Sequence, residues 1–247
     1  MANVDRAELI LGVSRALGTD PARSRDIVNA FETFFVARLL AKLSSVSLKE
    51  FIKTKNPYLY RASGISKCND LVDRAFRDYI SASVETYFGP VFEAVARLMS
   101  GGTKPAGGGE IDLDIRYNGH ADLFVMKSGP KGFNKSSRKR AHDELAAAAG
   151  KLAHDGTSVR KFIAYAYGRK RTTRQGDVIH LASRDFWERI TGDNAFYSRM
   201  LDACGAMAPL YAADLDAPRV RLLQEAHSLL CDGDQIDWSR VLEIISG

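Results

Sequence analysis

Apolar residues return every three to four positions over residues 5–17 and 22–43. In the second stretch Ile27, Phe31, Phe34, Phe35, Leu39 and Leu40 share one side, and this period predicts two helices. A shorter helix is expected over 47–54. Asn56-Pro57 interrupts the pattern, so NPYLYRASGI (56–65) reads as a loop with its aromatic residues turned inward. The helical period resumes from Lys67 to Met99, with a break or kink at Gly89-Pro90. GGTKPAGGG (101–109) has no period and reads as a flexible linker. From residue 110 the period becomes two. EIDLDIRY and HADLFVMK flank Asn118-Gly119, the dipeptide favoured in a tight type I′ hairpin. A two-residue turn sets Tyr117 opposite His120, Asp114 opposite Leu123, Asp112 opposite Val125 and Glu110 opposite Lys127. Glu110, Asp112 and Asp114 then share the face of Lys127, and Ile111, Leu113, Ile115, Phe124 and Met126 form a core face. A helix over 137–154, a strand over 159–168, a basic loop RKRTTRQGD (169–177) and a short strand VIHLAS (178–183) follow. Helices over 183–191, 194–211, 217–231 and 237–245 close the chain. This order predicts an α/β fold with a small mixed sheet covered by helices, without the regular β-α alternation of a dinucleotide fold.

Length and composition narrow the class. The chain has 247 residues, enough for one large domain or two small ones. No apolar run approaches the roughly 18 residues of a membrane span, and the polar start Met1–Asp5 is no signal peptide. Cys68, Cys204 and Cys231 are far apart and odd in number, as expected of free thiols in a reducing cytoplasm. The five histidines form no paired-ligand spacing for zinc.

Charge is concentrated in one place. Between Lys127 and Arg174 stand 13 Lys/Arg against three acids, a net +10, while the rest of the chain is at −5. Such a segment fits a polyanion, and nucleic acid above all. GPKGFNKS (129–136) nearly spells a nucleotide-binding P-loop, but Asn134 stands where that motif needs glycine. Lys131, Asn134 and Lys135 read instead as contacts to a nucleic acid backbone. Arg138, Lys139 and Arg140 fall in the first helical turn, where the macrodipole favours acids, so an anion at that end accounts for them better than helix stability does. Arg169, Lys170, Arg171 and Arg174 form a second basic cluster able to reach phosphates and base edges.

The carboxylate–lysine hairpin beside this segment suits phosphodiester hydrolysis, which needs a metal to activate water and a cation to meet developing charge. Asp112 would bind Mg²⁺ and Lys127 would position the water or stabilise the transition state. On the sheet face a diagonal pair of this kind is separated by roughly 7–8 Å.

These residues resemble the PD-(D/E)XK nuclease core. NPYLYRASGI, SASVETYFG (81–89), EIDLDI, VMKSGPKGFNKSS (125–137), YGRKR (167–171), DFWERITGD (185–193) and QIDWSRVLEII (235–245) are similar, in the same order, to type II restriction endonucleases of the PmeII/TdeIII kind. The resemblance implies a restriction-endonuclease-like core within residues 101–247, with a helical region 1–100 packed on it as one compact unit. It also implies a Mg²⁺-dependent enzyme that cuts double-stranded DNA at a short palindromic site, a homodimer, and a cognate DNA methyltransferase in the same system. Asp112 matches the aspartate of the family's IDL and Lys127 the lysine of its KSGP.

The departure is Val125, two residues before Lys127, where the superfamily usually carries a carboxylate. A second acid has to come from elsewhere: Glu85 in the SASVETYFG helix is the first candidate and Glu144 the second, with the Met126 carbonyl as a further metal ligand. Two alternatives follow from the same departure. One is a non-catalytic DNA-binding protein on a degenerate nuclease fold, the other a structure-specific repair or recombination nuclease.

Overall fold

Asp5 caps the first helix by accepting from the N–H groups of Ala7 and Glu8. In chain order, α1 (Arg6–Leu17) and α2 (Pro21–Phe31) precede a π-helical turn (Glu32–Val36), α3 (Ala37–Ser45), α4 (Leu48–Lys53), α5 (Pro57–Ala62) and the long α6 (Cys68–Ser100). The hairpin is β1 (Leu113–Tyr117) and β2 (His120–Lys127). Next come α7 (Lys135–His154), β3 (Ser158–Tyr165), β4 (Thr173–Gln175) and β5 (Val178–Leu181). The chain ends in α8 (Ser183–Thr191), α9 (Phe196–Ala206), α10 (Ala208–Ala212), α11 (Asp216–Leu230), β6 (Cys231–Asp232), β7 (Gln235–Ile236) and α12 (Trp238–Ser246). This computed structural model describes residues 5–53, 55–105, 109–212 and 215–246, so residues 1–4 of the polar start and part of the glycine-rich linker lie outside the described residues.

Two compact units are interleaved along the chain, rather than parting near residue 100. One contains residues 32–87 and 208–246, where α12 packs on α4 and α11. The other contains residues 5–31 and 88–207, where α1 packs on α9 and the sheet is found.

The sheet runs β1-β2-β3-β5-β4. Its two outer pairs are antiparallel, whereas β2–β3 and β3–β5 are parallel, with α7 as the crossover from β2 to β3. Both faces are covered. Leu123, Val125, Ile163 and Tyr165 pack with Ala141 and Leu145 of α7. On the other face Phe124 stacks on Phe162 at 4.8 Å and meets Phe186 of α8 edge-on. Two-sided burial explains why β2 reads as a near-continuous apolar run. The one acid inside that run, Asp122, is fully buried and held by Arg160 and Arg189.

Several expectations are corrected. The hairpin register is as counted, with Tyr117 opposite His120, but only Gly119 has a positive φ (78°), the requirement of a type II turn and not of type I′. NPYLYR is not a loop: Asn56 caps α5 through the Leu59 N–H, and Pro57 fits the first helical position. Part of the basic loop is strand, because Thr173–Gln175 pairs with β5. The helix expected from 137 starts at Lys135, so Arg138 closes its first turn while Lys139 and Arg140 lie beyond it. That end is closed by a capping box between Asn134 and Ser137. Cys68 and Cys231 are joined in a disulfide rather than standing as free thiols, 163 residues apart in sequence and 6.2 Å between Cα atoms. Cys204 alone is free, its thiol pushed up to about 11 by burial.

Candidate active site

Lys127 ends β2, and its backbone is fixed. Its carbonyl accepts from Ala166 N–H (2.9 Å), and Ser128 accepts from Tyr167 N–H (2.9 Å), which continues the parallel ladder into the KSGP segment. The loop then folds back on the lysine. A Cβ at Gly132 would stand 2.9 Å from Lys127 Cβ, so that close approach requires glycine. The Lys127 ammonium lies 3.3 Å from Glu110 Oε2 and 5.0 Å from the ring centroid of Phe133. Glu110 also pairs with Arg140, and its backbone N–H donates to the Glu144 carboxylate.

Glu110 and Lys127 meet through their side chains, beyond the last paired residues Leu113 and Phe124, and at Asp112 the backbone departs from the expected register. The Asp112 N–H donates to the carbonyl of Phe124 (2.9 Å), although the strand partner of Phe124 is Leu113. Two residues thus face one, as in a β-bulge. The faces shift accordingly: Ile111 packs with Leu123 and Val125 instead of opposite them. Asp112 makes no ion pair with Lys127. Its Oδ2 accepts from Met126 N–H at 2.8 Å, and its Oδ1 lies 3.2 Å from Lys104 Nζ. Met126 therefore meets Asp112 through its N–H, whereas its carbonyl was the expected metal ligand.

Lys104 reaches this point because the linker is pinned at its start. Thr103 and Asp114 exchange backbone hydrogen bonds of 2.9 and 2.8 Å. A Cβ on Gly102 would stand 2.5 Å from Leu113 Cδ1, so glycine is needed there too. The same ammonium lies 3.3 Å from Glu93 Oε2 on α6. Burial and then the Glu93 charge push the Asp112 carboxyl above its ordinary range, against the pull of Met126 N–H and Lys104. Burial lowers Lys104, but Glu93 and Asp112 outweigh it and the net shift is upward.

Of the other expected residues, Val125 is fully buried in the apolar core and Glu85 is exposed on α6. Lys131, Lys135, Arg138, Lys170 and Arg171 are exposed and make no side-chain ion pair with a described residue. Lys139 pairs with Asp143, Arg169 lies over the Tyr165 ring at 5.0 Å, and Arg174 donates to the Gly176 carbonyl. Glu93 was missed by sequence reasoning. Its only signal is being the lone acid in VFEAVARLM, just before the linker.

A hard divalent cation favours oxygen donors of this kind, and the Asp112 and Glu93 carboxylates already converge on one positive charge. The residues fit such an ion.

A mixed sheet with a helical crossover, and a hairpin carrying a carboxylate and a lysine toward one end, define a restriction-endonuclease-like nuclease fold. A family model described as type II restriction endonuclease EcoO109I matches residues 24–209, and the chain belongs to that family. No curated protein matches it. The family makes it a restriction endonuclease of the PD-(D/E)XK type, a hydrolase acting on DNA.

Proposed function

We propose that the protein is a Mg²⁺-dependent type II restriction endonuclease that hydrolyses double-stranded DNA at a short palindrome, and that Asp112 and Lys127 belong to its catalytic site. The observation that carries this reading is Lys127 itself: a lysine whose backbone is tied to the end of β3, at the mouth of the most basic segment of the chain.

Bound at Asp112, Mg²⁺ would acidify a water and neutralise phosphate charge. Lys127 supplies a fixed positive charge for the developing phosphorane, and Glu110 and Phe133 hold its ammonium until a phosphate replaces them. Lys131, Asn134, Lys135, Arg138, Lys139, Arg140, Arg169, Lys170, Arg171 and Arg174 draw the duplex in, mostly through phosphates. A two-fold site calls for a homodimer, one subunit per strand. A cognate methyltransferase would protect host DNA in the cytoplasm where both act. No helix among the described residues is long and apolar enough to cross a membrane. The finer likeness to the PmeII/TdeIII kind rests on the NPYLYRASGI and KSGP segments.

Val125 favours a second reading, a DNA-binding protein without catalysis, because a core valine stands where a metal-binding acid is usual. Lys127→Ala decides whether the lysine carries chemistry. Mg²⁺-dependent cutting should fall by about 10²–10³-fold while DNA binding persists. Undiminished cutting would remove Lys127 from the mechanism.

A further inference from the structure

We propose that Glu93 is the second carboxylate of the metal site and that Lys104 is a tethered cation, holding the place that a divalent ion takes. The inference rests on the reading of Asp112 as a metal ligand and goes beyond it by naming the acid that Val125 lacks and the group that the ion displaces.

The two carboxylates converge. Glu93 Oε2 and Asp112 Oδ1 come from a helix and from the hairpin, yet lie 3.3 and 3.2 Å from the same nitrogen, Lys104 Nζ. Like charges this close disfavour each other unless a cation lies between them. An ammonium offsets one of the two charges, and a divalent ion would offset both.

Other acids near the hairpin are engaged. Glu110 is matched by both Lys127 and Arg140, and Glu144 accepts from the Glu110 backbone N–H. Glu93 has one further cation nearby, Arg97 at 3.8 Å, which can remain when Lys104 leaves.

The partners also differ in exposure. The side chain of Asp112 is 12% exposed and that of Glu93 25%, whereas Lys104 is 44% exposed on a long, flexible stem. The carboxylates are held by their elements. Lys104 can swing into solvent while Thr103 stays bridged to Asp114. The ion and the lysine then compete for one place, and loading the site releases the Lys104 ammonium.

The test is Mn²⁺ binding to the full chain without DNA, read from the free-ion electron paramagnetic resonance signal, with Mg²⁺-dependent DNA cutting measured on the same preparations. Glu93→Gln should weaken Mn²⁺ binding at least about tenfold, the scale of losing a group that supports a metal site. Lys104→Gln should tighten it several-fold, a change that misfolding cannot imitate. Unchanged affinity in Glu93→Gln, or weaker binding in Lys104→Gln, would overturn the proposal. So would a loss confined to Glu85→Gln or Glu144→Gln, which would assign the acid to that residue. If the unmodified protein cuts DNA while Glu93→Gln binds Mn²⁺ normally, only this inference fails. If the unmodified protein neither binds Mn²⁺ nor cuts, the nuclease reading fails with it.

Discussion

Lys127 and Glu110 meet as a side-chain ion pair just beyond the paired strands, and a one-residue irregularity at Asp112 sends the next carboxylate toward α6. Single residues of this kind decide what the site can hold. In the basic segment they also divide the cations into engaged and available groups. Lys139 and Arg140 are matched by Asp143 and Glu110, whereas Arg138 is exposed and makes no ion pair with a described residue. Arg138→Ala should therefore reduce the salt dependence of DNA binding by about one unit in the log–log slope. Binding isotherms over a salt series check this, and an unchanged slope would mean that Arg138 touches no phosphate. The register from Leu113 to Tyr117 was legible because strand pairing obeys strict parity. The Asp112–Lys104–Glu93 cluster was not. A bulge leaves no mark in the alternation of polar and apolar letters, and Glu93 and Asp112 are joined only through tertiary packing.

At the scale of elements, burial on both sides of the sheet sets the chemistry of β5. His180 is 5% exposed, and its Nε2 has no hydrogen-bond partner among the described residues. Burial, reinforced by His142, Arg169 and Arg138, lowers its pKa to about 4 from the usual 6.5. Above the unfolded value both states are neutral and stability is unaffected. As pH falls from 6.5 toward 4, the unfolded chain takes up a proton that the folded chain refuses. Stability then drops by up to about 1.4 kcal/mol per pH unit. His180→Phe should flatten this loss, seen as a smaller fall in urea midpoint between pH 7 and pH 5 than in the unmodified protein. Equal falls would contradict it. The long periodic helices and the hairpin strands were readable from sequence because a whole face is repeated. α5 and β4 were not, since six residues opened by a proline, or three exposed polar residues on a sheet edge, carry too few positions to show a period.

For the whole molecule, the described chain passes three times between its two compact units, so a single boundary near residue 100 could not follow it. The Cys68–Cys231 link joins the start of α6 to β6 within one unit, a pairing that sequence spacing does not disclose. What composition did disclose is the concentration of positive charge between Lys127 and Arg174, and the family match agrees with a DNA substrate. The central claim is sequence-specific, metal-dependent cleavage. It is tested most directly by incubating the purified protein with unmethylated phage DNA of known sequence, with Mg²⁺ and with EDTA, and reading the products on a gel. Discrete fragments that appear with Mg²⁺ and vanish with EDTA are the predicted result, and their ends give the site. A Mg²⁺-dependent smear would contradict sequence specificity, and intact DNA that still shifts in a binding gel would contradict catalysis altogether.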